Sequence, residues 1–134
     1  MPEFSKKSIN NLEQVHPLLI DLFSEVVRHW DCTIIEGIRS PEQQAIYVKK
    51  GVSKTYKSKH LLQSDNYAWA VDVAPYPVKW HDISRFYAFA GFVLGIATSM
   101  KIPIRWGGDW DSDREFTDQK FNDLVHFELV SSEQ

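Results

Sequence analysis

The stretch SKHLLQSDNYAWAVDVAPY, from Ser58 to Tyr76, contains a short apolar run with one carboxylate inside it. Its last part, AVDVAPY, is typical of a strand, and prolines close it. Because side chains alternate along a strand, Ala70, Asp72 and Ala74 are predicted to share one face, while the two valines share the other. A carboxylate buried without a partner costs several kcal/mol. Asp72 is therefore expected to be exposed, paired or bound to a metal.

The rest of the chain supplies helices and further short strands around this segment. The predicted elements, in order, are a turn from Ser8, a helix over Pro17–Trp30, the strand CTIIEGI ending near Gly37, a helix from the N-cap Ser40 to Gly51, a loop from Val52 to Lys59, the strand AVDVAPY, a buried helix over Ser84–Met100, the strand IPIRW, a polar loop over DWDSDREFTDQKFND and the strand HFELV. Helices and strands do not alternate strictly. The predicted fold class is therefore α+β, a small mostly antiparallel sheet with helices packed on it, in one domain over residues 1–134.

Composition and charge exclude several classes of protein. The net charge of −3 argues against a nucleic-acid binder that neutralises phosphates. The single cysteine, Cys32, cannot form an intrachain disulfide and is expected to be a buried apolar residue. The N-terminus lacks the apolar core of a signal peptide, and the apolar run Phe86–Ala97 is too short to span a bilayer. We therefore expect a protein made in the cytoplasm, with no membrane insertion.

Five lysines crowd into the eleven residues just before His60, and two interpretations stay open. They are Lys49, Lys50, Lys54, Lys57 and Lys59. The first interpretation is a solvated helix end and loop, which is the usual behaviour of a charge run. The second is a guide for an anionic substrate.

Two histidines and Asp72 are the residues best suited to bind a metal. In HFELV, His126 and Glu128 are predicted to share one strand face, opposite Phe127 and Leu129. His60, Asp72 and His126 would give the two-histidine, one-carboxylate set that is typical of catalytic zinc. Spacing alone is a weak signal, however, because isolated His and Asp residues are common. Satisfied polar residues without a metal remain the alternative.

Five ordered sequence blocks resemble a known superfamily. SKH, AVD and DLVHFEL, with GIRS and RWGGDW, are similar to the signature of the zinc D-alanyl-D-alanine carboxypeptidases and L-alanyl-D-glutamate endopeptidases. The signalling domain of hedgehog proteins shares their fold. The pattern is closest to the single-domain L-alanyl-D-glutamate endopeptidases that phages use as endolysins, and it extends from about Leu12 to Val130.

This resemblance implies a role for individual residues. His60, Asp72 and His126 would hold one Zn²⁺ per chain, and Asp123 falls where the family keeps its carboxylate general base. Arg39 matches an arginine that steadies the substrate carbonyl as negative charge develops. One departure stands out: the family has a shorter connection with a glycine between the first ligand and the Asp, whereas LLQSDNYAW is longer and places Ala68 or Trp69 near that glycine's position.

Residues around these blocks carry secondary expectations. Ser58 matches a serine that supports the site without reacting. Glu128 is the rival base, but a hydrogen bond to a ligand histidine is its expected role. Trp106, like Trp110, either packs in the core or forms an aromatic wall that contacts the substrate, and Asp109 could orient a ligand. The remaining charged candidates are expected to be loop charges or surface histidines: Asp111, Asp113, His16, His29 and His81.

The resemblance implies a zinc metallopeptidase that hydrolyses the L-alanyl-D-glutamate bond of bacterial peptidoglycan stem peptides by metal-activated water. Its expected state is a monomer without nucleic-acid partners. It would act on the bacterial cell wall, in the periplasm, after release from the cytoplasm through another protein's membrane pore. Two alternatives stay open: a D-alanyl-D-alanine carboxypeptidase or dipeptidase, and a non-catalytic zinc-containing wall-binding module. Retention of both Asp123 and Arg39 speaks against the module, because a structural zinc site needs neither.

Overall fold

The computed structural model describes residues 2–51, 58–109 and 123–131. These residues form four helices and four strands: α1 Lys6–Asn11, α2 Pro17–His29, β1 Cys32–Glu36, α3 Pro41–Lys49, β2 Ala70–Pro75, α4 Ile83–Met100, β3 Ile104–Gly107 and β4 Asp123–Leu129. Every helix and strand predicted from the sequence is present, with ends that differ by a few residues. The largest difference is β4, which begins at Asp123 and not at His126. The polar loop predicted before it falls mainly in 110–122, outside the described residues.

Local capping interactions explain where the helices begin. The side chain of Ser40 accepts a hydrogen bond from the backbone N–H of Gln43, and Pro41 occupies the first helical position of α3, as predicted. In α2 the ring of His16 takes the same capping role toward Leu18. These bonds satisfy backbone donors that a helix leaves unpaired at its first turn. The α3 cap follows Arg39 directly in the chain.

The four strands form one antiparallel sheet in the order β1-β2-β4-β3. This confirms the predicted α+β class. The central pair sets the geometry of the site, because Asp72 of β2 lies directly opposite His126 of β4. On the other side of β2, Glu36 of β1 also pairs with Asp72. Three polar residues from three strands therefore meet at one level of the sheet.

The two faces of the sheet differ as the alternation predicts. Side chains of one face join the hydrophobic core with the buried faces of α2 and α4; they include Val71, Val73, Phe127, Leu129, Leu19, Leu22, Phe23, Phe89 and Val93. Phe127 makes an edge contact with Phe23 at 5.4 Å between ring centroids. On the opposite face, Asp72 is only 8% exposed. The carboxylate is thus buried, yet it lies outside the hydrophobic core.

Helix α4 is longer than its apolar centre. It has 18 residues with a mean hydropathy of 1.3, and among the described residues it is the one helix long and apolar enough to cross a membrane by those two measures. The twelve residues Phe86–Ala97, predicted from the sequence to be too short for a membrane span, form only part of this helix. Phe86, Phe89, Ala90 and Val93 are nevertheless buried against the rest of the fold, as expected for a core helix.

The long connection between His60 and Asp72 is tied to the body of the protein at both ends. Ala68 is fully buried, and its N–H donates to Gln14 O at 2.8 Å. Trp69 N–H donates to Lys59 O at 2.7 Å, and the Trp69 indole N–H donates to Asp65 at 2.9 Å. The connection therefore closes on itself, and Ala68, one of the two residues predicted near the family's glycine position, is buried.

Candidate metal centre

His60, Asp72 and His126 converge on one point at the outer face of the sheet. The Nε2 atom of His60 lies 3.1 Å from Asp72 Oδ1, and the Nδ1 atom of His126 lies 3.3 Å from the same oxygen. One ligand atom from each residue lies within 4.8 Å of the other two, a spacing that could hold a metal ion. His60 is 1% exposed and His126 is 6% exposed. Because the three residues are far apart in sequence, only the fold brings them together.

The second nitrogen of each imidazole has its own acceptor. His60 Nδ1 donates to the carbonyl oxygen of Gly37 at 2.7 Å, and His126 Nε2 donates to Glu128 Oε1 at 2.8 Å. When the imidazoles are neutral and bind a metal, these bonds favour the tautomers with lone pairs on Nε2 of His60 and Nδ1 of His126; without a metal, the same two nitrogens donate hydrogen bonds to Asp72. Two neutral imidazoles and a carboxylate fit a zinc ion and leave a fourth position open. Hydrogen bonds of this kind orient metal-bound histidines and raise their basicity.

Glu128 is held by two cations as well as by His126. Arg105 Nε donates to Glu128 Oε2 at 2.9 Å, and Lys59 Nζ lies 3.3 Å from the same oxygen. Burial by itself would raise the pKa of Glu128, but the hydrogen bond and charge of His126, with both cations, lower it to about 2. The hydrogen bond expected between Glu128 and His126 is therefore present, with His126 as the donor.

The position of Lys59 argues against its role as a guide for an anionic substrate. It is partly buried, and its ammonium donates to Leu129 O at 2.7 Å in addition to pairing with Glu128. A cation fixed in this way supports the site and cannot move to meet a substrate. Lys49 and Lys50 are exposed at the end of α3, while Lys54 and Lys57 lie outside the described residues.

The charges of Asp72 and His126 stabilise each other in the protein without metal. Burial by itself would raise the pKa of Asp72, but the positive charge of His60 and the hydrogen bonds from both histidines hold it well below its usual range. Burial would lower the pKa of His126, but hydrogen bonds to Asp72 and Glu128 raise it to about 9. A metal that binds here must displace the His126 proton, so its affinity falls as the pH falls.

Asp123 reaches the site through an irregularity between β3 and β4. Strict alternation would place Asp123 and His126 on opposite faces, but the register shifts so that Gly107 pairs with Asp123 while Trp106 pairs with Phe127. Burial raises the pKa of the Asp123 carboxyl above its ordinary value, and the negative charge of Asp72 adds to this effect. The sequence analysis did not foresee this shift in register.

Gly107 makes this arrangement possible, since a Cβ there would overlap the carbonyl oxygen and the Cβ of Asp123. We expect Gly107→Ala to push Asp123 away from the triad, because overpacking at such a contact forces backbone shifts. Turnover should fall by about tenfold or more, since displacements of about 1 Å can cost that much. Zinc content should stay near that of the parent. Gly91→Ala is the matched control, because a Cβ at Gly91 meets nothing within 4 Å; equal activity of the two variants would contradict the role of Gly107.

Arg39 lies beside the triad with its guanidinium nearly buried. Its Nη2 atom is 3.9 Å from Asp72 Oδ2, and its side chain is 10% exposed. The backbone N–H of Arg39 donates to His60 O at 2.8 Å, which ties the GIRS segment to His60. Ser58 accepts a hydrogen bond from His60 N–H at 3.1 Å, in keeping with the expected supporting role.

The position of Trp106 contradicts the expectation that it contacts the substrate. Its ring is 2% exposed and lies in the core, in edge contact with Tyr87, and its indole N–H donates to Leu124 O at 2.9 Å. A side chain so deeply packed cannot form a cleft wall, which favours core packing. Asp109 is 5% exposed, and its N–H donates to Trp106 O. Trp110, Asp111 and Asp113 lie outside the described residues.

Three contacts of the site were missed from the sequence: the Gly37 carbonyl, Lys59 and Arg105. A backbone carbonyl carries no side-chain signal, so the bond from His60 could not be found by spacing. Arg105 alternates in β3 as a surface residue would, and only the pairing of β3 with β4 places it opposite Glu128. Lys59 was grouped with the neighbouring lysines. Its position between Ser58 and His60 was the signal that could have distinguished it from them.

We expect the protein without metal to lose stability in acid partly through Glu128. Because the pKa of Glu128 is lowered from 4.5 to about 2 on folding, its contribution is present above pH 4.5 and is lost as the pH falls toward about 2. The measurement is urea unfolding of chelator-treated protein across this range. Glu128→Gln should show a flatter dependence of the unfolding free energy on pH, and an unchanged slope would contradict the assignment.

Sequence and structure comparisons find similar proteins over nearly the whole chain. Residues 2–130 match the family of phage L-alanyl-D-glutamate peptidases. The chain is 30% identical over 139 residues to the L-alanyl-D-glutamate peptidase of Escherichia phage T5, a match that covers 96% of this chain and 98% of that protein. The fold is similar to the crystal structure of the L-Ala D-Glu endopeptidase ChiX of Serratia marcescens, with a TM-score of 0.74, 28% identity, and coverage of 96% of this chain and 91% of that chain.

Proposed function

The chain belongs to the phage L-alanyl-D-glutamate peptidase family, and from this premise we propose that it is a zinc-dependent endolysin that hydrolyses the L-alanyl-D-glutamate bond of peptidoglycan stem peptides. Membership supports a peptidoglycan endopeptidase. The observation that carries the zinc chemistry is the convergence of His60, Asp72 and His126, with the other nitrogen of each imidazole fixed by an acceptor. We assign one zinc ion to these three residues.

Amide hydrolysis near neutral pH needs a nucleophile stronger than ordinary water. A zinc ion in this site would lower the pKa of water from about 15.7 toward about 7 and polarise the scissile carbonyl. Asp123 then takes the proton of the attacking water and passes it to the leaving amine. Its buried position suits that task, because a raised pKa lies closer to the working pH than that of an exposed aspartate. Asp123 is thus the proposed general base.

Arg39 is the proposed partner of the negative charge that develops on the carbonyl oxygen. The guanidinium stays charged at every relevant pH and presents N–H groups in a fixed plane. Its Nη2 atom lies on the side of Asp72, so a substrate carbonyl at the metal would be within its reach. Donors fixed before the reaction are most effective in a site that excludes water. Ser58 acts through His60, whose backbone it binds, and Asp109, two residues after the end of β3, is proposed to orient the substrate.

The remaining proposals concern the setting of the reaction. The chain acts as a single catalytic domain over residues 1–134 and as a monomer. It is synthesised in the host cytoplasm and reaches the bacterial wall through a membrane pore made by another protein. Its partner is the stem peptide of peptidoglycan, and neither nucleic acid nor membrane insertion is part of its work.

The test is digestion of purified peptidoglycan with and without a chelator, with the new ends identified by mass spectrometry. New amino-terminal D-glutamate that disappears with the chelator supports the endopeptidase. Free D-alanine would overturn it in favour of a D-alanyl-D-alanine carboxypeptidase. Binding to the wall without any new ends would overturn it in favour of a non-catalytic module.

A further inference from the structure

We propose that Gln44, in helix α3, is a positioning residue that holds the guanidinium of Arg39 for the charge that develops on the substrate. This inference rests on the proposed function of Arg39. Gln44 is 1% exposed, and it is the one residue that α3 buries. Meanwhile Ile46 of the same helix is 43% exposed. A helix that serves only packing buries its apolar side chains, because burying an amide is costly unless it is hydrogen-bonded.

The contact that Gln44 makes explains its burial. Its Oε1 atom accepts a hydrogen bond from Arg39 Nη1 at 2.6 Å. Glu36 accepts from Arg39 Nε, and the Tyr47 ring lies 4.6 Å from Arg39 Cζ. The guanidinium is thus held at one edge, at one terminal nitrogen and on one face. Its Nη2 atom is left on the side of the metal centre, 3.9 Å from Asp72 Oδ2.

A neutral acceptor suits this position better than a second carboxylate would. Glu36 already offsets part of the positive charge of Arg39, and another anion would weaken the attraction for a developing oxyanion. The amide oxygen of Gln44 fixes direction without removing charge. The acceptor is also fixed in advance, because Gln44 N–H donates to Ser40 O at 3.0 Å in the capped first turn of α3. The Ser40 cap therefore fixes the geometry between Arg39 and Gln44.

The test begins with Gln44→Leu, which keeps most of the volume and removes the acceptor. We expect kcat to fall by about tenfold or more with KM changed less than about threefold, because misplaced catalytic groups cost rate rather than ground-state binding. Zinc content should equal that of the parent. Gln43→Leu, the same change at the half-buried neighbouring position, is the matched control and should keep parental kinetics. Parental kcat in Gln44→Leu would overturn the inference.

A second variant separates positioning from packing even if Gln44→Leu folds poorly. Gln44→Glu keeps an oxygen acceptor of the same length but buries a carboxylate. If Gln44 serves packing alone, Gln44→Leu should have both a higher unfolding midpoint and a higher kcat than Gln44→Glu. If Gln44 positions Arg39, Gln44→Glu should have a higher kcat per folded molecule than Gln44→Leu despite a lower unfolding midpoint, and a lower kcat than the parent because of the added negative charge. The opposite ranking of kcat would overturn the inference.

A double-mutant cycle shows whether Gln44 acts through Arg39. In an Arg39→Lys background, the Nη1 donor is gone, so adding Gln44→Leu should lower kcat by less than about twofold. A further loss as large as in the parent would overturn the inference, since the effect would then bypass Arg39. Failure of the proposed function is distinguishable: it would appear as an inactive parent, whereas an active, Arg39-dependent parent with a silent Gln44→Leu overturns this inference alone.

Discussion

Replacing any one of His60, Asp72 and His126 by alanine is expected to abolish wall hydrolysis and to lower the zinc content of the purified protein. Each residue contributes one atom to a compact set whose members lie within 4.8 Å of one another. A three-ligand site that loses one member binds metal far more weakly, and catalysis depends on the metal. The measurement is zinc per chain by elemental analysis beside turnover of a defined muropeptide.

The exposed His81 offers a matched control. His81→Ala removes an imidazole outside the triad and should leave zinc content and turnover unchanged. Thermal unfolding of each variant with zinc present separates loss of metal from loss of fold. Full zinc and full activity in Asp72→Ala would show that the long connection after His60 brings a different third ligand to the site.

The strand faces of the site could be predicted because they depend on a local rule. Side chains alternate in β2 and β4, so the faces of Asp72 and His126 follow from the sequence alone. The same alternation correctly assigned Phe127 and Leu129 to the core. The cap of α3 was equally local, since Ser40, Pro41 and Gln43 are adjacent. A rule that depends only on neighbouring residues can be applied from the sequence alone.

The irregular pairing of β3 with β4 could not be predicted in this way. The distance from Asp123 to the triad depends on how two strands align, and the segment that joins them contains no rule that fixes the register. Only Gly107 carried a trace of the contact, as a residue that lets two backbones approach closely. The same limit applies to Trp106, because its burial depends on helix α4 packing over β3.

The charged residues show a third limit of prediction from sequence. Lys59 and Arg105 look like surface cations in the sequence, yet both pair with Glu128, which in turn holds His126. Such a network is set by tertiary pairing, since its members lie up to 69 residues apart. What the sequence could supply was Glu128 itself, two positions beyond a ligand on the same face.

Asp123→Asn is expected to bind zinc and wall fragments nearly as well as the parent while turning over at least about a hundredfold more slowly. The amide keeps the size of the carboxylate but cannot accept the proton of the attacking water, and proton transfer of this kind contributes about 10²- to 10⁴-fold in rate. Loss of kcat without loss of binding marks an interaction that acts in the transition state.

The pH dependence of the parent provides a second measure of the same group. Burial and the charge of Asp72 raise the pKa of Asp123, so the protonated, inactive form persists to higher pH than for an exposed aspartate. The acid limb of kcat/KM should therefore lie above the ordinary aspartate value of 3.8. Asp123→Asn should lose this limb, because the titrating group is gone. An unchanged acid limb in the variant would assign the limb to another group.

Glu128→Gln is the matched control, since it changes a second carboxylate near His126 to its amide in the same way. Glu128 makes its hydrogen bond to the far nitrogen of His126, and a glutamine oxygen can still accept that bond. The control should therefore lose less turnover than Asp123→Asn, although its zinc affinity should weaken because the ligand is less basic. Near-parental turnover in Asp123→Asn together with a dead Glu128→Gln would transfer the base to Glu128. Its two cationic partners and its pKa of about 2 argue against that outcome, because they make it a poor proton acceptor at neutral pH.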